Sequence, residues 1–226
     1  RAKEILKKTS LDSCHLVNDF ELIGYAINLL NEANPEEMLV INKGKRYEQE
    51  PKAILGAGTG LGKSILRYDH RSQYYFPLQS EGGHEDFPVY DAFELDLLNF
   101  IKKRKKINIV RYEDVLSGKG IEQLYSFLRS TKKFPSSKYT REIDQAKEKN
   151  LLIGKYLHKD RTCQETAKLF VKFFARCSKN FVLDSLPRGG FYLAGGIIPK
   201  YPHLFQSALF KHEYLQTQKH VLLLAE

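Results

Sequence analysis

The sequence predicts an α/β fold, and three observations carry that expectation. Short apolar runs suited to strands alternate with segments whose apolar residues recur at helical spacing. The hydrophobic fraction of 42% is ordinary for a globular core, and 226 residues suffice for one large domain, or one domain and part of another. No internal repeat or low-complexity stretch points elsewhere.

The elements follow in order. The chain opens on a helix-like segment, and Cys14-His15-Leu16-Val17 then reads as a strand. Phe20, Ile23, Ile27 and Leu30 recur at helical spacing. Met38 to Asn42 is read as a second strand, and Lys52 to Leu55 as a third that runs into a glycine loop. Tyr74 to Leu78 is a fourth. Asp91 to Arg104 has the pattern of an amphipathic helix, and Ile121, Leu124, Tyr125 and Leu128 mark another, entered through Ser117-Gly-Lys-Gly120. Residues 137–150 are polar and charged and read as a surface helix. Cys163, Ala167, Phe170, Phe174 and Cys177 form the clearest long apolar stripe, ending near Asn180. Phe191-Tyr-Leu-Ala-Gly-Gly-Ile-Ile198 is a strand entering a tight turn.

Composition narrows the function classes. No apolar run approaches the ~20 residues a membrane-crossing helix needs, and the N-terminus lacks the apolar region of a signal peptide. Cys14, Cys163 and Cys177 have no metal-ligand spacing, so they read as core thiols of a reducing, cytoplasmic protein. The net charge of +9 suits either nucleic acid or anionic substrates. Its densest run, Lys102 to Lys106, ends a helix, where cations complement the dipole; with no aromatic-basic ladder or zinc pattern beside it, neither a nucleic-acid partner nor a membrane is expected.

Four stretches can carry chemistry. In Val17-Asn18-Asp19-Phe20, Asn18 or Asp19 can cap the helix, or stand as a catalytic carboxylate at a strand end. In Ile54-Leu-Gly-Ala-Gly-Thr-Gly-Leu-Gly-Lys-Ser-Ile65, four alternating glycines and a Thr hydroxyl can cradle an anion or make a turn. Ala57 to Ser64 also satisfies a loose Walker A pattern, with Phe181-Val-Leu-Asp184 available as a Walker B strand, whereas the Rossmann fingerprint fails at Leu61. Glu81-Gly-Gly-His-Glu-Asp-Phe87 sets three acids and an imidazole around a Gly-Gly turn, either a polar surface turn or a site for a hydroxyl-rich ligand. Glu113-Asp-Val-Leu-Ser-Gly-Lys-Gly120 places acids at a helix entry.

Taken together and in this order, these stretches resemble the bacterial ATP-dependent glucokinase family. Its members carry an Asn-Asp-Phe segment, a GxGTGLG loop, EGGHxDF, ERxLSGxGL and an AGGI turn. The matching residues here are Asn18 to Phe20, Gly56 to Gly62, Glu81 to Phe87, Glu113 to Ile121 and Ala194 to Ile197. The resemblance implies the actin-like, ribonuclease-H-like fold, with the glycine loop as its second phosphate-binding element and the Walker A match accidental. It implies that Asp19 is the general base toward the 6-hydroxyl of D-glucose. It also implies that Asn18, Glu81, His84 and Glu113 bind the sugar, that Gly58, Thr59 and Gly60 bind the ATP phosphates, and that Gly195 and Gly196 flank the adenosine. Mg²⁺ would arrive with the nucleotide, and a homodimer is common in the family. A non-catalytic sugar-binding or regulatory protein on the same scaffold is the alternative, against which the retained Asp19 argues.

The chain departs from the family pattern in places. Nothing matches the family's first phosphate loop, of DxGGTN type, and the family continues past the last residue here. Residues 1–30 are therefore expected to be a hinge-proximal part of the small lobe carrying Asp19, and residues 31–226 the large lobe. Such a piece alone is expected to be weakly active or inactive. Lys63 stands where the family has a small or aliphatic residue, and residues 131–150 are lysine-rich and insertion-like.

Overall fold

A computed structural model describes residues 2–14, 16–32 and 34–225. Its centre is a mixed four-stranded sheet in the order β3-β2-β1-β4. The strands are β1 (Lys52–Ala57), β2 (Leu61–Asp69), β3 (Tyr74–Leu78) and β4 (Gly190–Ala194). The first three form an antiparallel meander, and β4 returns parallel to β1 with Gly56 opposite Ala194. A parallel return needs a long crossover, which here contains most of the helices.

Before the sheet come α1 (Ala2–Lys8) and α2 (Asp19–Ala26). The crossover holds α3 (Ala92–Lys105), α4 (Tyr112–Val115), α5 (Gly118–Ser130), α6 (Lys138–Gln145), α7 (Lys149–Lys155) and α8 (Arg161–Ser185). After β4 come α9 (Pro202–Phe205), α10 (Ala208–Leu215) and α11 (Val221–Ala225).

The strand period of two splits the sheet into two packed faces. On one, Ile54, Leu66 and Tyr75 meet Phe20, Ile23 and Ile27 from α2 and the turn after it. On the other, Ala53, Leu55 and Ala57 join the main core with Phe170, Phe173, Phe174 and Phe181 of α8. The apolar stripe of α8 thus does what its spacing implies, and the helix runs on to Ser185, ending at left-handed Leu186. Cys177 is buried in this core and Cys163 in a satellite cluster, while Cys14 is half-buried.

Several expectations need correction. Cys14, Leu16 and Val17 form no strand; His15 lies outside the described residues. Met38 to Asn42 forms no strand, with a bend at Ile41, and Leu39, Val40 and Ile41 are exposed. An apolar run becomes a strand only where a neighbour can accept its ladder, and no strand flanks either run. Conversely, β2 was hidden, because Leu61 and Gly62 read as loop. Residues 137–150 are not one surface helix. They span α6 and the start of α7, and Ile143 and Ile153 are buried in a satellite cluster with Tyr125, Tyr156 and Cys163. Phe181 to Asp184 lies inside α8, so no Walker B strand exists there.

The end of the sheet away from the glycine turn holds a buried cation. Lys52, its side chain only 4% exposed, lies 3.4 Å from Glu32 and over the rings of Tyr75 and Tyr192. Glu32 also pairs with Arg46 and accepts a hydrogen bond from the Tyr192 hydroxyl. Burial, aided by the charge of Arg46, pushes the Lys52 ammonium down to about 8 from 10.5. The folded chain therefore loses this proton before the unfolded chain does. Between those values the unfolded state holds more protons, so stability rises with pH. Urea midpoints followed across that window should climb for the wild type and climb less for Lys52→Met.

Candidate functional site

The hairpin β1-β2 turns through Gly58, Thr59 and Gly60, with Ala57 opposite Leu61. Gly56 and Gly62, the other two glycines of the motif, are a cross-strand pair within the strands. Their role is to receive the ring of Phe20. A Cβ on Gly56 would stand 2.6 Å from that ring, and one on Gly62 would overlap it. The ring-on-glycine contact seats the start of α2 against the strands that carry the turn. Asn18 caps α2, its Oδ1 accepting from the Phe20 N–H at 2.7 Å, and Asp19 is the first helical residue. The two sequence readings of Asn18-Asp19 are therefore compatible: Asn18 caps, and the exposed Asp19 carboxylate is left at the helix start.

The Glu81-to-Phe87 stretch forms a 3-10 turn over Gly82–His84 that packs on β2. Gly83 lies so close to the strand that a Cβ would overlap the Leu61 carbonyl oxygen. Two backbone hydrogen bonds, Phe87 N–H to Val110 O and Tyr112 N–H to Glu85 O, both 2.9 Å, tie this turn to the segment entering α4. That pairing brings Glu113 to His84. The imidazole lies between two carboxylates, Nδ1 at 3.7 Å from Glu81 and Nε2 at 3.7 Å from Glu113. Both distances exceed a hydrogen bond, so polar atoms of the cluster stay available to a ligand. Glu113 is itself aimed by the Leu61 N–H, which donates to its Oε2 at 3.2 Å. Its neighbour Asp114 is buried; burial alone would raise its carboxyl, but bonds from Arg111 and Lys105 hold it below the usual range.

Asn18 and Glu81 line one cavity of about 200 Å³ with Phe20, Ser80 and Lys63. Among the described residues no hydrogen bond or ion pair joins Asp19 to the Glu81–His84–Glu113 cluster. The Gly58–Gly60 turn is only partly free: the Gly58 N–H donates to Gly60 O at 2.9 Å, and Gly58 O accepts from Gly118 N–H at 2.8 Å. The N–H groups of Thr59 and Gly60 and the exposed Thr59 side chain remain for a ligand. The Ala194-Gly-Gly turn adjoins it, since β1 and β4 end together. Ile197 N–H donates to Ala57 O at 3.1 Å, and a Gly58 Cβ would stand 3.8 Å from Gly196 N. Gly195, at φ +93, must be glycine.

Lys63 excludes the P-loop. It sits inside β2 rather than at a loop-to-helix junction, with its side chain 2% exposed and paired with Glu85 at 2.5 Å. Its ammonium lies over the rings of Tyr112 and Phe181, and its stem runs under Gly82. Burial pushes the adjacent Cys177 thiol up to about 12, so it is unreactive. Lys63→Met should retain turnover. It should cost less than the ~3–5 kcal/mol of stranding a buried charge, because half-exposed Glu85 can return to water. A paired melting and activity measurement checks both points.

The Phe20 socket and the Lys63–Glu85 pair were not anticipated as site features. The first had a signal: glycines at 56 and 62 share one face at strand period, the face toward an apolar helix. The second had only an indirect one, since Lys63 stands where the resembling family has a small or aliphatic residue.

Among the described residues no group of three or more His, Cys, Asp or Glu could hold a metal ion, and no helix is long and apolar enough to cross a membrane. The family model for glucokinase matches residues 1–226. A glucokinase of Nostoc sp. is 32% identical across 99% of this chain and 68% of its own. The structure of a glucokinase from an Antarctic psychrotroph superposes with a TM-score of 0.76 at 22% identity, covering 99% of this chain and 65% of that one. That of a glucokinase from Balamuthia mandrillaris in complex with glucose gives 0.68 at 20% identity, covering 90% and 57%. These structural likenesses are of fold, the actin-like architecture expected from the sequence. The chain spans about two thirds, or less, of the length of these relatives. With its sheet order, its five motifs and a family match along its whole length, the chain belongs to the glucokinase family.

Proposed function

We propose that this protein is an ATP-dependent glucokinase, moving the γ-phosphoryl group of ATP to the 6-hydroxyl of D-glucose. The observation that carries the reading is the convergence of Glu81, His84 and Glu113 beside the free end of the Gly58–Gly60 turn. Acceptors and an imidazole around a hydroxyl-rich ligand give specificity, because a bound sugar would cover them and a missing hydroxyl would then leave a covered partner unpaired. Asn18 joins them from across the cavity it shares with Glu81. Asp19 accepts the proton of the 6-hydroxyl as that oxygen attacks phosphorus, a task for a carboxylate within hydrogen-bond reach. The N–H groups of Thr59 and Gly60 face the phosphates, and Gly195 and Gly196 face the nucleoside. Mg²⁺ comes with the nucleotide, held by phosphate oxygens and water rather than by a protein cage, as is usual for this ion. When bound it neutralises phosphate charge.

In this reading residues 1–30 belong to the small lobe and the remainder to the large lobe. The enzyme works in the cytoplasm at the first step of glycolysis. Full-length protein given MgATP should release ADP only with glucose present, forming equal glucose 6-phosphate. ADP release indifferent to glucose would overturn the proposal, and glucose binding without turnover would make the protein a sensor instead.

A further inference from the structure

The short helix α7, at the end of the lysine-rich stretch before α8, packs against both the start of α5 and Tyr201. Asn150 and Gly154 are four residues apart in α7 and share one helical face. At one end of that face, the Asn150 Nδ2 stands 3.0 Å from where a Gly118 Cβ would be, and Gly58 O is 3.5 Å from the same point. The Asn150 amide therefore abuts the phosphate turn through the start of α5, whose Gly118 N–H bonds that carbonyl. At the other end, a Cβ on Gly154 would overlap the Tyr201 hydroxyl. Tyr201 follows the Ile198–Lys200 3-10 turn, the continuation of the Ala194-Gly-Gly turn. One face of α7 thus spans from the phosphate turn to the segment behind Gly195 and Gly196.

Asn150 and Tyr201 are both half-buried, and neither side chain makes a hydrogen bond among the described residues. Half-buried polar atoms beside a binding turn, without protein partners, suit a polar ligand. An amide offers donors and an acceptor to ribose hydroxyls and phosphate oxygens, and a tyrosine offers an apolar ring with a polar tip to a nucleoside.

We propose that Asn150 and Tyr201 contact the nucleotide, Asn150 at its ribose–phosphate part and Tyr201 at its nucleoside part. This rests on the nucleotide reading above. The test measures MgADP affinity calorimetrically on the full-length protein, beside the KM for ATP and for glucose and the melting temperature. Asn150→Ala should weaken MgADP about tenfold, the loss of roughly one hydrogen bond to a charged ligand. It should raise the KM for ATP while leaving the KM for glucose and the melting temperature unchanged. Asn150→Asp should weaken MgADP further, because it sets a negative charge beside the phosphates, an effect that a packing role would not produce. Tyr201→Phe, which removes only the hydroxyl, should weaken it less. Wild-type affinity in Asn150→Ala and Asn150→Asp, or equal losses toward glucose and MgADP, would overturn the proposal. A wild-type protein that fails to bind MgADP at all would instead overturn the nucleotide reading beneath it.

Discussion

Replacing Asp19 with Ala is expected to lower kcat by about 100- to 10,000-fold, the usual contribution of a positioned general base. Glucose affinity should stay close to wild type. The reason lies in how α2 is built. Asn18 supplies the capping oxygen and Phe20 the anchoring ring, so both the helix start and its seat on Gly56 and Gly62 survive the loss of the Asp19 carboxylate. Asp19 also accepts from its neighbour's N–H at 2.9 Å, but the stronger contact, at 2.7 Å, is that of Asn18. Single-turnover kinetics with saturating glucose and MgATP, with glucose binding measured separately, check the outcome. A loss confined to glucose affinity would make Asp19 a binding residue and remove it from proton transfer.

Gly83→Ala is expected to damage the proposed sugar site more than any other one-methyl change in it. The new Cβ would overlap the Leu61 carbonyl oxygen, a backbone atom that cannot turn aside. Either β2 or the Gly82–His84 turn must shift, and overpacking of this kind costs typically ~1–3 kcal/mol. Leu61 also gives its N–H to Glu113, so the displacement reaches both ends of the Glu81–His84–Glu113 cluster. The KM for glucose should rise at least about tenfold, equivalent to ~1.4 kcal/mol, with a fall of several degrees in melting temperature. Gly196→Ala is the contrast: its Cβ meets nothing within 4 Å. That variant should fold normally, with any effect confined to the nucleotide. Equal glucose KM values for the two variants would show that the Gly83 contact does not set the sugar site.

What could be read in the sequence divides along physical lines. β1, β3, α3, α5 and α8 were legible because each carries a local signal: an apolar run, a cap such as Asp91 or Ser117, or a long stripe. The family motifs were legible because glycines, acids and a histidine recur in a fixed order, and the structure brings Glu81, His84 and Glu113 of two of them together. Pairing was not legible. Cys14 to Val17 and Met38 to Asn42 have strand-like composition but form no strand among the described residues, whereas β2, which begins at Leu61-Gly62 inside the glycine motif, pairs on both sides. The docking of distant segments was hidden for the same reason. Lys63 beneath Gly82 and Asn150 beside Gly118 are contacts between separate segments that no periodicity encodes, whereas the seat of Phe20 left only the strand-period glycines 56 and 62 as its trace.

The most direct measurement is a structure of the full-length protein with glucose and a non-hydrolysable ATP analogue. The sugar is expected between Asn18 and the Glu81–His84–Glu113 cluster, with its 6-hydroxyl oxygen about 2.6–3.2 Å from the Asp19 carboxylate and the terminal phosphate over Thr59 and Gly60. A sugar bound elsewhere, or one whose 6-hydroxyl faces away from Asp19, would contradict that arrangement.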